Sequence, residues 1–235
     1  MSNSDLNVTT MERSPISLTN SRIRVKKGDN WLIPGRKGSG KTTFGKLLTN
    51  QLLKLYPTSR LYVLDIKLRD FNSYPGIYQG DDVPPELGNN DRVQVWQPVV
   101  LDPENIERWL YRIRHDPPAI LQIDELLALC YGRRDTSQEF TRITKLGRAL
   151  PISTIAQTQE LVDIPRGALS QPDHIARFRL KHPYEIRLLN GMMGQELTEP
   201  QDRYGFYYNH AESDGQPIYY DSAQTFLGLQ KERKF

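Results

Sequence analysis

Cysteine is almost absent: Cys130 stands alone among 235 residues. One thiol excludes an internal disulfide framework and any multi-cysteine zinc site. Hydrophobic residues make up only 37% of the chain. No run approaches the ~18 apolar residues that a membrane-spanning helix needs. Residues 1–20 lack the apolar stretch of a secretory signal and are rich in Ser, Asn and Thr, so a flexible arm and a reducing, cytoplasmic setting are expected. Charge of one sign is lacking too. Thirty-one basic residues face 28 acidic ones for a net +3, so a nucleic-acid surface would have to be a local patch. Arginine outnumbers lysine 20 to 11, a balance that suits phosphate forks and interface ion pairs. There is no internal repeat and no low-complexity tract.

What is present alternates. Residues 23–27 read as a short strand, and Trp31-Leu32-Ile33 is an apolar run that breaks into Pro34-Gly35. Over 42–56, Phe44, Leu47, Leu48, Leu52 and Leu55 fall on one helical face until Pro57 stops the helix. Residues 61–66, 93–96, 119–123, 152–156 and 174–180 read as further strands. Helices are predicted over 103–115, 124–130, 140–150 and 184–193, and a loop over 70–91. Runs at 204–209 and 217–220 flank Asp214-Gly215, a hairpin signal. Strands alternating with helices imply one α/β domain with a mainly parallel sheet over 21–225, set between the arm and a basic tail, 226–235.

Gly35-Arg36-Lys37-Gly38-Ser39-Gly40-Lys41-Thr42 fits the pattern G-x-x-x-x-G-K-[ST], and Thr43 follows it. This chain's residue frequencies give about 0.006 chance matches, so coincidence does not account for it. Glycines let successive N–H groups curl around a phosphate, and the helix that follows points its positive end there. Lys41 is placed for the β- and γ-phosphates and the Thr42 hydroxyl for Mg²⁺, so ATP with Mg²⁺ is the expected ligand. No Asn-Lys-x-Asp base-reading motif is present, which argues against GTP.

The apolar run 119–123 ends in Asp124-Glu125. Asp124 at a strand tip suits Mg²⁺, and Glu125 suits the polarising of a water that attacks the γ-phosphate. The plainer alternative is an Asp N-cap with a Glu in the first turn of the next helix. Gln157 and Gln159 lie at the end of the strand beginning at Ile152. If that strand runs between the phosphate-loop strand and the acidic strand, one of these amides meets the γ-phosphate or the lytic water.

Residues 140–175 resemble the FtsK/HerA superfamily of ring-forming DNA pumps. The resemblance rests on Gly147-Arg148-Ala149-Leu150-Pro151-Ile152 running on to Thr158-Gln159, on Leu64-Asp65-Ile66-Lys67, and on the closing hairpin. It spans roughly residues 28–222, though the phosphate loop alone is shared more widely. It implies a RecA-like P-loop NTPase with a C-terminal β-hairpin, whose ATP hydrolysis drives double-stranded DNA. It also implies Gln159 as the γ-phosphate sensor and Arg148 as an arginine finger entering a neighbour's site, with Arg142 and Arg166 as rivals. A finger in trans requires a homo-oligomer, and the family implies a hexamer. Loops carrying Arg133 and Arg134, Arg166, and Lys181, His182 and Arg187 are expected to face DNA phosphates. The small size resembles the genome-packaging ATPases of tailless, membrane-containing viruses, which implies a portal or vertex partner and a place in the host cytoplasm or the virion. A conjugation or plasmid-transfer ATPase is the alternative among motors. A small-molecule kinase, for which no clear arginine-rich lid is found, and a nucleotide-gated interaction protein are the alternatives outside them.

Overall fold

The computed structural model describes residues 16–17, 24–132, 135–146, 149–169, 172–211 and 216–228. Strands β1 (Ile16–Ser17) and β2 (Arg24–Val25) pair antiparallel as a separate two-stranded sheet. The chain then runs through β3 (Asn30–Pro34), α1 (Lys41–Leu55), β4 (Arg60–Leu64), β5 (Ile77–Gln79), β6 (Val93–Gln97), α2 (Pro103–Arg114) and β7 (Ala119–Ile123). A 3-10 turn (Leu126–Leu129), α3 (Gln138–Leu146), β8 (Ile152–Thr158), α4 (Arg166–Leu169), β9 (His174–Arg177), α5 (Pro183–Met193), β10 (Phe206–His210), β11 (Ile218–Tyr220) and α6 (Ala223–Phe226) follow.

One nine-stranded sheet results, in the order β11-β10-β9-β3-β8-β7-β4-β6-β5. Every pairing from β9 to β5 is parallel, and β10 runs antiparallel to both of its neighbours. This is the expected mainly parallel α/β sheet with a C-terminal hairpin. The turn at Asp214-Gly215 lies outside the described residues.

Alternation along each strand divides the core in two. Trp31 and Ile33 of β3, Ile120 of β7 and Ile155 of β8 face α1 and α6. Leu32, Leu121, Ile123 and Ile152 face α2, α3 and α5. The Asp102 carboxylate caps α2 by accepting the Glu104 N–H (3.1 Å), Pro103 opens the helix, and Arg112 and Arg114 close it where the dipole favours cations.

α1 lies unusually close to the sheet. A Cβ at Gly45 would stand 2.6 Å from Gln157 Nε2 and 2.9 Å from Gln122 Nε2, so a larger residue there would push these two amides aside. The residue before Gly45, Phe44, is fully buried against Phe206 (4.9 Å), Phe226 (5.3 Å) and Phe178 (5.8 Å), measured between ring centroids.

Several expectations need correction. The predicted loop 70–91 contains β5, an edge strand of three residues with two of them exposed, too short and too polar to leave an alternation signal. No α-helix spans 124–130. Glu125 is extended (φ −144°, ψ 111°) and only the 3-10 turn follows it. The helix predicted over 140–150 is α3, Gln138–Leu146; Ala149 and Leu150 form a turn whose N–H groups donate to the Leu146 carbonyl (2.8 and 2.7 Å). The strand predicted over 174–180 ends at Arg177, and the short α4 and α6 were not foreseen.

Phe44→Ala empties the centre of the aromatic cluster that seats α1. The expected loss is about 3–5 kcal/mol of unfolding free energy in urea titrations. A loss below about 1 kcal/mol would show that the cluster does not hold the helix.

Candidate functional site

Backbone bonds pin the loop that leaves β3. The Gly35 N–H donates to the Thr158 carbonyl at the end of β8 (3.1 Å), and the Arg36 N–H to the Arg179 carbonyl beyond β9 (2.7 Å). Gly40 then enters α1 with φ 100°, a left-handed conformation that glycine adopts without strain. No side chain caps α1, so its first N–H groups are left for a ligand, and the helix dipole favours an anion. Ser39 Oγ is buried at the same turn without a partner. Arg36, Lys37, Gly38 and Thr43 are exposed, and Thr42 is half-buried.

Lys41 is buried, and its ammonium donates to the Arg36 carbonyl (3.1 Å). Burial pulls its pKa down to about 8, against the opposing pull of Glu125. Asp124 is fully buried, with Lys67 Nζ 2.8 Å from its Oδ2. Burial pushes the Asp124 carboxyl up to about 6 even so, with Lys67 acting in the other direction. Glu125 accepts the backbone N–H of Gln159 (3.1 Å) and makes no side-chain cap to the turn that follows. The capping alternative for the acidic pair therefore does not hold.

The two candidate amides separate. Gln157 pairs in register with Ile33 and is fully buried beneath α1 at Gly45. Gln159 lies just past the end of β8, half-buried, beside Glu125. Lys41, Asp124, Glu125 and Gln159 thus meet where β3, β7 and β8 end, because β8 runs between β3 and β7.

Other expected residues lie apart. Arg142 on α3 pairs with Glu139, which also binds Arg114 (2.6 Å). Arg166, Lys181 and Arg187 are exposed and form no ion pair among the described residues. Arg133, Arg134 and Arg148 lie outside the described residues. Sequence reasoning left Lys67 out of the site although the Leu64-to-Lys67 motif contained it. Asp65 steadies the segment that carries Lys67, accepting from Gln97 Nε2 (2.8 Å) and the Phe71 N–H (3.2 Å).

A divalent cation fits these donors. Asp124 Oδ1 is buried with no partner, and hard oxygen ligands suit Mg²⁺, which is held by one or two protein groups together with substrate phosphates. Asp124 and Thr42 are the residues that would hold it, and when bound it supplies positive charge to the phosphate oxygens.

No family model matches the chain. Among solved structures it is similar to B204, the DNA-packaging ATPase from Sulfolobus Turreted Icosahedral Virus: 18% identity, 84% of this chain, 99% of that chain, TM-score 0.67. The second-virus B204 in complex with AMPPCP gives 19% identity over 84% of this chain and 98% of that chain, at TM-score 0.68. The chain has a RecA-like P-loop fold. The conjugation coupling protein TcpA of pCW3 is similar at 18% identity, over 89% of this chain and 67% of that one, at TM-score 0.52. A Streptococcus mutans protein described as an ABC transporter ATP-binding protein is 52% identical over 42 residues, which is 18% of this chain and 16% of that protein.

A triphosphate held by this loop would need Lys41 charged. Its pKa is about 8 without nucleotide, and bound phosphates raise it. Affinity is therefore full well below pH 8 and falls as pH rises through it, by up to about tenfold per unit. A fluorescent-ATP titration between about pH 7 and 9.5 reads this fall, and Lys41→Met is expected to bind weakly with no such slope.

Proposed function

We propose that the chain is a Mg²⁺-dependent ATPase that moves double-stranded DNA, in the manner of a viral genome-packaging motor. One observation carries the reading: β8 lies between β3 and β7, so the end of β8 touches Glu125 beside Lys41. On this reading the loop N–H groups from Gly35 to Thr43 cradle the phosphates. Lys41 leaves the Arg36 carbonyl to neutralise the β- and γ-phosphates, Glu125 orients the attacking water, and the Gln159 amide senses the γ-phosphate.

Lys181 is exposed just beyond the end of β9, which runs parallel to β3, and Arg166 and Arg187 are exposed on α4 and α5, which supports a duplex backbone lying against these segments. The near end-to-end correspondence with B204 supports packaging over conjugation. The run from Gly147 to Gln159 that resembles the ring-forming pumps supports Arg148 as a finger serving a neighbouring copy, with a hexamer as the proposed assembly. A portal or vertex protein as partner and work in the host cytoplasm belong to the same proposal.

Duplex DNA is expected to raise ATP turnover, and added salt to remove the increase. Glu125→Gln should bind ATP and lose about 10²–10⁴ in kcat. Mixing Arg148→Ala with Glu125→Gln subunits should restore part of the activity. Turnover indifferent to DNA, with phosphate passing to a small acceptor, would replace the motor with a kinase.

A further inference from the structure

Beyond β8 the chain turns through Gln159, Glu160 and Leu161, and all three amides are engaged. Gln159 N–H donates to Glu125 Oε1 (3.1 Å), Glu160 N–H to Thr158 Oγ1 (3.3 Å), and Leu161 N–H to Glu185 Oε1 (2.8 Å). The Thr158 hydroxyl donates in turn to the Glu160 carbonyl (2.7 Å), closing the turn on itself. Two carboxylates from other elements therefore grip its ends. Glu125 comes from the end of β7 and Glu185 from the first turn of α5.

Glu185 is costly where it stands. It is 1% exposed, no cation pairs with it among the described residues, and Oε2 is buried without a partner. A buried carboxylate is expensive unless hydrogen-bonded or paired. In a capping box, a glutamate three residues past a Ser or Thr N-cap turns back to its own helix, but here the N-cap is His182. Glu185 instead reaches an amide 24 positions earlier. The dipole of α5 offsets part of the charge, and a charged acceptor makes a short, stiff link. Lys181 and His182 immediately precede α5, and Arg187 is exposed on it.

We infer that Glu185 is a positioning residue that couples α5 to Glu125 through the 159–161 turn. When polymer phosphates engage Lys181 and Arg187, displacement of α5 is delivered to the Leu161 N–H. The closed turn carries it two residues back to the Gln159 N–H, which sets where Glu125 holds its water. The inference rests on the ATPase reading above and adds the route by which a basic face regulates that site.

Glu185→Met removes the acceptor at nearly constant volume, and Glu185→Gln keeps an acceptor oxygen. Two measurements are paired: ATP turnover with and without duplex DNA across ATP concentrations, and amide hydrogen exchange through residues 157–163. Glu185→Met is expected to lower kcat with DNA by at least about tenfold and to abolish the DNA increase, with KM for ATP within about twofold. The amides of both Leu161 and Gln159 should exchange faster, and Glu185→Gln should restore both readouts. Wild-type kcat and DNA response in Glu185→Met, faster exchange confined to Leu161, or a loss of ATP affinity that tracks a lowered Tm would each overturn it. If Glu185→Met does not fold, Glu185→Asp, one methylene too short to reach, should reproduce the kcat loss, and wild-type behaviour there overturns the inference. Absence of ATP turnover in the unaltered protein would remove the ATPase reading, while the exchange at Gln159 still decides the coupling.

Discussion

Two lysines and two carboxylates share one poorly solvated end of the sheet. Asp124 is fully buried, Lys41 and Glu125 nearly so, and Lys67 is held against Asp124 at 2.8 Å. In low dielectric each charge is destabilised unless matched, which is why Lys41 falls to about 8 while Asp124 rises to about 6. The groups neutralise one another only in part: Lys41 settles for the Arg36 carbonyl, and Asp124 Oδ1 has no partner. On the proposed reading, a triphosphate with its cation would complete both deficits at once, the anion at Lys41 and the free helix amides, the cation at Asp124. Charges that are already oriented need little rearrangement when a ligand arrives, and that is how such sites favour a developing transition state.

Topology and packing hold this arrangement in place. Parallel register ends β3, β7 and β8 together, and the bare Cα of Gly45 lets α1 settle on β7 and β8. The aromatic cluster around Phe44 ties the same helix to β10 through Phe206 and to α6 through Phe226. At the opening of β3, Trp31 stacks on His174 (4.0 Å), whose ring also meets Asp29 and Tyr208 (2.9 Å each). The hairpin therefore buttresses the strand that delivers the phosphate loop, although it carries none of the proposed catalytic groups.

Contiguous chemistry was legible in the sequence. The phosphate loop and Asp124-Glu125 are runs in which strand, tip and helix follow one another, so hydrophobic period and residue type suffice to find them. Long-range placement was not legible. Residue type does not distinguish Gln157 from Gln159; only the Thr158-Gln159 pair of the resemblance points to Gln159, and their separation in space depends on where β8 ends relative to β7 and α1. Asp124-Glu125 reads equally well as a helix start, and only the extended backbone at Glu125 and its bond to Gln159 reject that alternative. β5 escaped because three residues, two of them exposed, produce no pattern. Nothing in the sequence marks Glu185, since its partner lies across a connection whose geometry depends on β8 and α5 together.

The contact on Glu125 comes from a backbone amide, and this has an energetic consequence. A side-chain donor can swing aside at the cost of a rotamer change, whereas an N–H moves only with its peptide plane and hence with the turn containing it. Hydrogen bonds to a charged group contribute about 1.5–3 kcal/mol. In rate, each ~1.4 kcal/mol is a factor of ten. Making or losing the single Gln159-to-Glu125 bond is therefore large enough to change turnover by about 10- to 100-fold. No domain-scale closure is required for control of that size. The turn is braced at both ends, and the brace at the far end belongs to the helix that carries the exposed Arg187.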